Sequence, residues 1–97
     1  MALQWSDFAL QSLEEIVFWY ETQAGRQVAD SIQNRIWLQI EKIDGVAMSI
    51  PASELLPGTR KLVISNLPYV AFIRHLHGDT WEVVDVVHTA RKLPKSL

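Results

Sequence analysis

Between Gly58 and Pro94 the chain reads as three strand-like runs in succession. They are Gly58-Thr59-Arg60-Lys61-Leu62-Val63-Ile64, Leu67-Pro68-Tyr69-Val70-Ala71-Phe72-Ile73-Arg74 and Val83-Val84-Asp85-Val86-Val87-His88-Thr89-Ala90-Arg91. β-branched and aromatic residues dominate them, and turn residues separate them. Strands joined this closely pair as antiparallel neighbours. A sheet so formed has a face to bury, and the first half of the chain must supply the cover.

That first half has a different period. Leu3-Gln4-Trp5 is a short strand candidate, and Ser6 is placed to cap a helix with Asp7 in its first turn. From Phe8 onward Ala9, Leu13, Ile16, Val17 and Tyr20 fall at helical spacing, and the pattern stops near Gly25. A second stripe, Val28, Ala29, Ile32, Ile36, Ile40 and Ile43, runs to Gly45, a natural stop. The Ala24-Gly25 connection predicts an antiparallel helical hairpin. Val46 to Pro57, broken by Pro51 and Pro57-Gly58, reads as a loop with at most one irregular turn. Strands are expected at 59–65, 69–76 and 80–88. The order β-α-α-β-β-β is an α+β fold, a helical hairpin packed on one face of a small antiparallel sheet. Lys92 to Leu97 reads as a loose tail.

A two-residue turn at Gly78-Asp79 sets the register of the last hairpin. His77 then faces Thr80, Leu76 faces Trp81, Arg74 faces Val83 and Tyr69 faces His88. Tyr69, Ala71, Ile73, His75, Glu82, Val84, Val86 and His88 share one face. Val70, Phe72, Arg74, Leu76, Trp81, Val83, Asp85 and Val87 share the other, with Arg74 diagonal to Asp85 and within ion-pairing reach. One extra residue would invert these faces.

At 97 residues one domain is expected, spanning 1–97. The chain has no cysteine, which excludes a disulfide framework, a thiolate metal site and a cysteine nucleophile and fits a reducing cytoplasm. Neither a signal peptide nor a membrane span is expected. The net charge of −2 hides an asymmetry: residues 1–57 carry three basic and eight acidic side chains, net −5, and residues 58–97 six basic and three acidic, net +3. The chain is therefore no general polyanion binder, although its second half suits an acidic partner.

Candidate chemistry is sparse. His75 and His77 point to one side of a strand, but His88 lies about 20 Å along it from His75, too far for one ion. No metal or other cofactor is expected. Ser49, Ser53 and Ser65 have no nucleophile elbow around them, and the four glycines form no phosphate-cradling loop. His88 with Arg60, Arg74 and Arg91 is the strongest group. It suits partner contact, or RNA cleavage with His88 as base or acid and an arginine on the phosphate. Trp5, Trp19, Trp37 and Trp81 read as core or half-core residues, and an exposed one would mark an interface.

The block Gly58-x-Arg60-x-Leu62-x-Ile64, Pro68-Tyr69, Arg74 and His88-x-x-Arg91, after a helical hairpin opened by Trp5-Ser6, resembles the RelE/ParE superfamily of bacterial toxins. The resemblance covers nearly the whole chain and implies the same β-α-α-β-β-β fold. It implies the toxin half of a type II toxin–antitoxin, plasmid-stabilisation module. The implied antitoxin wraps the toxin with an amphipathic helix and an extended segment, and operator DNA is met only through it. RelE-like members cut messenger RNA on the ribosome, whereas ParE-like members bind DNA gyrase. Here Val70 follows Tyr69 where the ribosome-dependent nucleases usually carry a basic residue. No aromatic residue or histidine follows Arg91, and the chain is acidic, which suits ribosome binding poorly. Pro68-Tyr69, Arg74 and His88-x-x-Arg91 look like the ParE side, although Ile73 stands where a tyrosine often precedes the arginine. The resemblance thus implies a gyrase-binding toxin with Arg60, Tyr69, Arg74, His88 and Arg91 in target or partner contact. A RelE-like endoribonuclease using His88, Arg60 and Arg91 is the alternative.

Overall fold

Ser6 starts the architecture. In this computed structural model, which describes residues 2–90, its Oγ accepts from the Ala9 N–H at 3.0 Å and donates to the Val84 carbonyl at 2.7 Å. One side chain thus caps helix α1 (Asp7–Ala24) and ties it to the last strand. Gly25, with φ of 91°, turns the chain into α2 (Arg26–Glu41), a conformation that a Cβ would strain. The helix period ends at Glu41 rather than Gly45, and 42–46 are turns. A short 3₁₀ turn, Ala47–Ser49, is the irregular turn of the long loop.

The sheet comprises β1 (Ala2–Trp5), β2 (Arg60–Val63), β3 (Tyr69–His77) and β4 (Thr80–His88), in the order β1-β4-β3-β2. It is mixed rather than wholly antiparallel. β3 is antiparallel to both neighbours, whereas β1 joins β4 in parallel, Leu3 opposite Trp81. The long α1–α2 crossover makes this possible, because it returns the chain to the far edge of the sheet.

The helical hairpin and sheet enclose one main core. Ala9 and Leu13 of α1 and Ile32, Ile36 and Ile40 of α2 meet Ala71, Ile73, Trp81, Val83 and Val86 of the sheet. Val28, expected on the stripe of α2, is exposed. Val70, Phe72 and Val87 form a smaller cluster on the opposite face, with Leu56 and Val84 against it. Trp5 of β1 stacks on Trp37 of α2, ring centroids 4.7 Å apart and nearly parallel.

The hairpin register is right at its two ends and shifted between them. Tyr69 pairs with His88 and His77 with Thr80, as the turn predicts, and Gly78 alone supplies the positive φ of the type II′ pattern. Irregularities between His75 and His77 and between Phe72 and Ile73 displace the middle by one residue. Leu76 is the extra residue on β3 and Val84 on β4, so one bulge cancels the other. Arg74 therefore lies opposite Glu82, not Val83, and His75 rather than Leu76 lies opposite Trp81. The predicted faces are corrected accordingly. Trp81 and Val83 join Tyr69, Ala71 and Ile73 under the helices, and Val84 turns to the other side. The Arg74–Asp85 pair does not form: Arg74 Nε donates to Glu82 Oε1 at 2.8 Å. Asp85, fully buried, turns to α1 and accepts from Ser12 Oγ at 2.6 Å.

Candidate functional site

Three of the five residues singled out in the sequence lie on β3 and β4, and two of them meet. Tyr69 opens β3 and His88 closes β4, so the antiparallel register places them opposite each other. Their rings meet edge to face, centroids 5.4 Å apart. The Thr89 N–H donates to the Pro68 carbonyl at 2.8 Å, so the chain leaving β4 is pinned to the entry of β3. Pro68 fixes that entry and has no N–H of its own to satisfy.

The orientation of His88 is chemically specific. The Ala90 backbone N–H donates to Nδ1 at 3.0 Å. A backbone N–H can only donate, so Nδ1 is the acceptor and the neutral ring carries its proton on Nε2. His88 thus presents a hydrogen-bond donor at Nε2 and no lone pair there. That suits a contact to a carbonyl, carboxylate or phosphate oxygen. It does not suit a neutral Nε2 that takes a proton from a ribose hydroxyl.

The other predicted residues are dispersed. Arg60 Nη1 donates to the carbonyls of Met48 and Ile50 at 3.1 and 2.7 Å, which clamps the long loop to β2. Arg74 is held by Glu82 in the middle of the hairpin. Arg91 and the tail Lys92–Leu97 lie outside the described residues. His75 Nε2 donates to the Gly78 carbonyl at 2.7 Å within the turn. Among the described residues no three of His, Asp or Glu are grouped to hold a metal ion.

Two concave surfaces border α1, and sequence reasoning found neither. The larger, about 550 Å³, lies between α1 and the Tyr69–His88 end of the sheet. Ser12, Ile16, Trp19 and Tyr20 form its helical wall, and Tyr69, Val86 and His88 its sheet wall. Glu15 adds a carboxylate. The smaller, about 330 Å³, lies between α1 and α2 and is lined by Leu10, Val17, Phe18 and Trp37, with Glu14 and Glu21. Trp19, read from the sequence as half-core, is 55% exposed, and Phe18 is 67% exposed. The signal was present: both stand off the buried stripe of α1, where a helix that only covers a sheet carries polar residues.

Comparison with known proteins follows this geometry. The chain matches the family described as the ParE toxin of the type II toxin–antitoxin system, parDE, over residues 3–93. Among solved structures it resembles a chain of the chromosomal ParDE toxin–antitoxin system from P. aeruginosa. The identity is 26%, the TM-score 0.81, and the match covers 91% of this chain and 95% of that one. No curated protein matches.

Proposed function

The chain belongs to the ParE toxin family of type II toxin–antitoxin systems, and we propose that it arrests growth by binding and inhibiting DNA gyrase. The observation that carries this reading is the family match across residues 3–93, which spans both helices and, but for Ala2 of β1, the four strands described. The geometry of His88 speaks against the base role of a nuclease: with Nδ1 accepting from the Ala90 N–H, the neutral ring offers Nε2–H, a donor. Tyr69 and His88 form the proposed contact surface, with Arg91 the next residue in the sequence after Ala90. Arg60 and Arg74 lend positive charge to the same half of the chain while they fix the loop and the hairpin. A ParD-type antitoxin neutralises the toxin, and the toxin meets operator DNA only through it. Among the described residues no helix is long and apolar enough to cross a membrane.

Titration of the purified chain into gyrase with relaxed plasmid, stopped with detergent, tests the proposal. Loss of supercoiling or accumulation of cleaved plasmid is the expected result. Arg91→Glu should abolish the effect and leave the circular dichroism unchanged. Normal supercoiling at large excess of the wild-type chain would sink the gyrase reading.

A further inference from the structure

We propose that the outer edge of β1 pairs with the same edge of a second copy of this chain, joining two sheets into one across a two-fold axis. The inference goes beyond the toxin reading and does not depend on which target the chain meets.

The edge follows from the register. β1 is the outermost strand of the sheet, with β4 as its one neighbour among the described residues. The Ala2 N–H donates to the Asp79 carbonyl at 2.9 Å, and the Ser6 N–H to the Val83 carbonyl at 3.0 Å. The two-residue repeat of a strand therefore turns the backbone of Ala2, Gln4 and Ser6 toward β4 and that of Leu3 and Trp5 outward. Among the described residues, no backbone group meets the outward N–H and C=O of Leu3 and Trp5. The opposite edge of the sheet is treated differently. Beside β2 the Lys61 N–H donates to the Pro51 carbonyl and the Ser53 N–H to the Thr59 carbonyl, so the long loop covers that edge. β1 has none of the usual protections: Ala2-Leu3-Gln4-Trp5 contains no charge, no proline and no bulge. Nor is it loosely held. Leu3 and Trp5 pack against the main core, and Trp5 stacks on Trp37, so the edge is already in the geometry that pairing needs.

Self-complementarity selects the occupant. A two-fold axis sets β1 antiparallel to its own copy with Gln4 at the centre. Leu3 then lies opposite Trp5 of the second copy, and each such pair exchanges both of its outward hydrogen bonds. Gln4 meets Gln4 of the second copy as the non-hydrogen-bonded pair between them. Its side chain is exposed, and a primary amide both donates and accepts, so it can bond to its own kind. The strand carries no charged side chain, so the symmetry opposes no like charges along it. β1 lies beside Thr80 to Val83 of β4, and His88 stands about 16 Å farther along that strand. Pairing at this edge therefore leaves the Tyr69–His88 end open in both copies. A contact built on strands this short is small, so the dimer should form in a concentration-dependent way.

Sedimentation of the chain without antitoxin, up to submillimolar concentration, reads the association, and a single introduced thiol reads the register. The chain has no cysteine of its own. Gln4→Cys should form an intermolecular disulfide on mild oxidation, because a non-hydrogen-bonded pair sets its Cα atoms about 4.5 Å apart, within disulfide range. Ala2→Cys, also exposed, should not: Ala2 lies opposite Ser6 in this register, which leaves the two copies of Ala2 about 13 Å apart. Gln4→Lys sets two cations face to face and should weaken the dimer roughly fivefold, with the circular dichroism unchanged. A wild-type chain that stays monomeric throughout would overturn the proposal. So would a dimer that survives Gln4→Lys and cross-links no faster through Gln4→Cys than through Ala2→Cys, because the contact would then lie elsewhere. Leu3 and Trp5 amides that gain exchange protection only when antitoxin is added would give the edge to the antitoxin instead, and would overturn it as well.

Discussion

Asp85 shows how much one side chain decides here. It sits in an otherwise apolar strand with no exposed surface, accepts from Ser12 Oγ at 2.6 Å and also from the Val86 N–H at 2.9 Å. Ser6, six residues earlier at the N-cap of the same helix, donates to the neighbouring Val84 carbonyl. The two contacts fix α1 on β4 and so fix the helical wall of the larger groove. Buried polar groups of this kind cost the most when one partner is removed. Asp85→Ala should lower the unfolding free energy by about 2–3 kcal/mol, since it strands the Ser12 hydroxyl and a backbone N–H. Urea titration followed by tryptophan fluorescence measures it, and a change under about 0.5 kcal/mol would mean that the pair does not hold the helix. The sequence shows that a carboxylate interrupts Val83 to Val87, which is why Arg74 looks like its partner. It does not show which way the carboxylate faces, because a local bulge sets that. His88 is the converse case. The sequence marks it as a functional candidate, but the Ala90 N–H that chooses its tautomer is a backbone contact with no side-chain signature.

Helices and turns follow from local chemistry, and sheet pairing does not. Ser6, Asp7 and Gly25 bracket α1 by capping and by positive φ, and the isoleucine stripe of α2 declares its buried face. All of this is legible along the chain because its causes lie within a few residues. Gly78-Asp79 likewise sets both ends of the last hairpin. The middle of that hairpin fails because bulges at Leu76 and Val84 answer to packing under the helices. Trp81 is 5% exposed in the main core, and it reaches that core only because β3 takes an extra residue before the turn. The corrected faces predict a sharp contrast. Trp81→Ala should cost about 3–5 kcal/mol, as truncation of a buried aromatic side chain does. Leu76→Ala, at the bulge, should cost about 1 kcal/mol. Equal losses in chemical denaturation would restore the unbulged register. β1 was legible as a strand, but its parallel partner was not, because that pairing depends on where the whole hairpin returns the chain.

The distribution of charge and apolar surface over the molecule makes α1 a divider. The acidic half of the chain supplies both helices, and the basic half supplies β2, β3 and β4. One flank of α1 faces the Tyr69–His88 end of the sheet, and the other faces α2. Between the two grooves stands the helix itself, about 10–12 Å across with its side chains. Sites so separated, without shared contact residues, respond independently to substitution, with energies additive to within about 0.5 kcal/mol. His88→Ala should weaken gyrase inhibition, and Phe18→Ser should leave it unchanged, since Phe18 lines the smaller groove and His88 the larger. The double variant should inhibit as His88→Ala alone does. A coupling near 1.4 kcal/mol, a tenfold departure from additivity, would mean that the grooves are one continuous site and that α1 transmits between them.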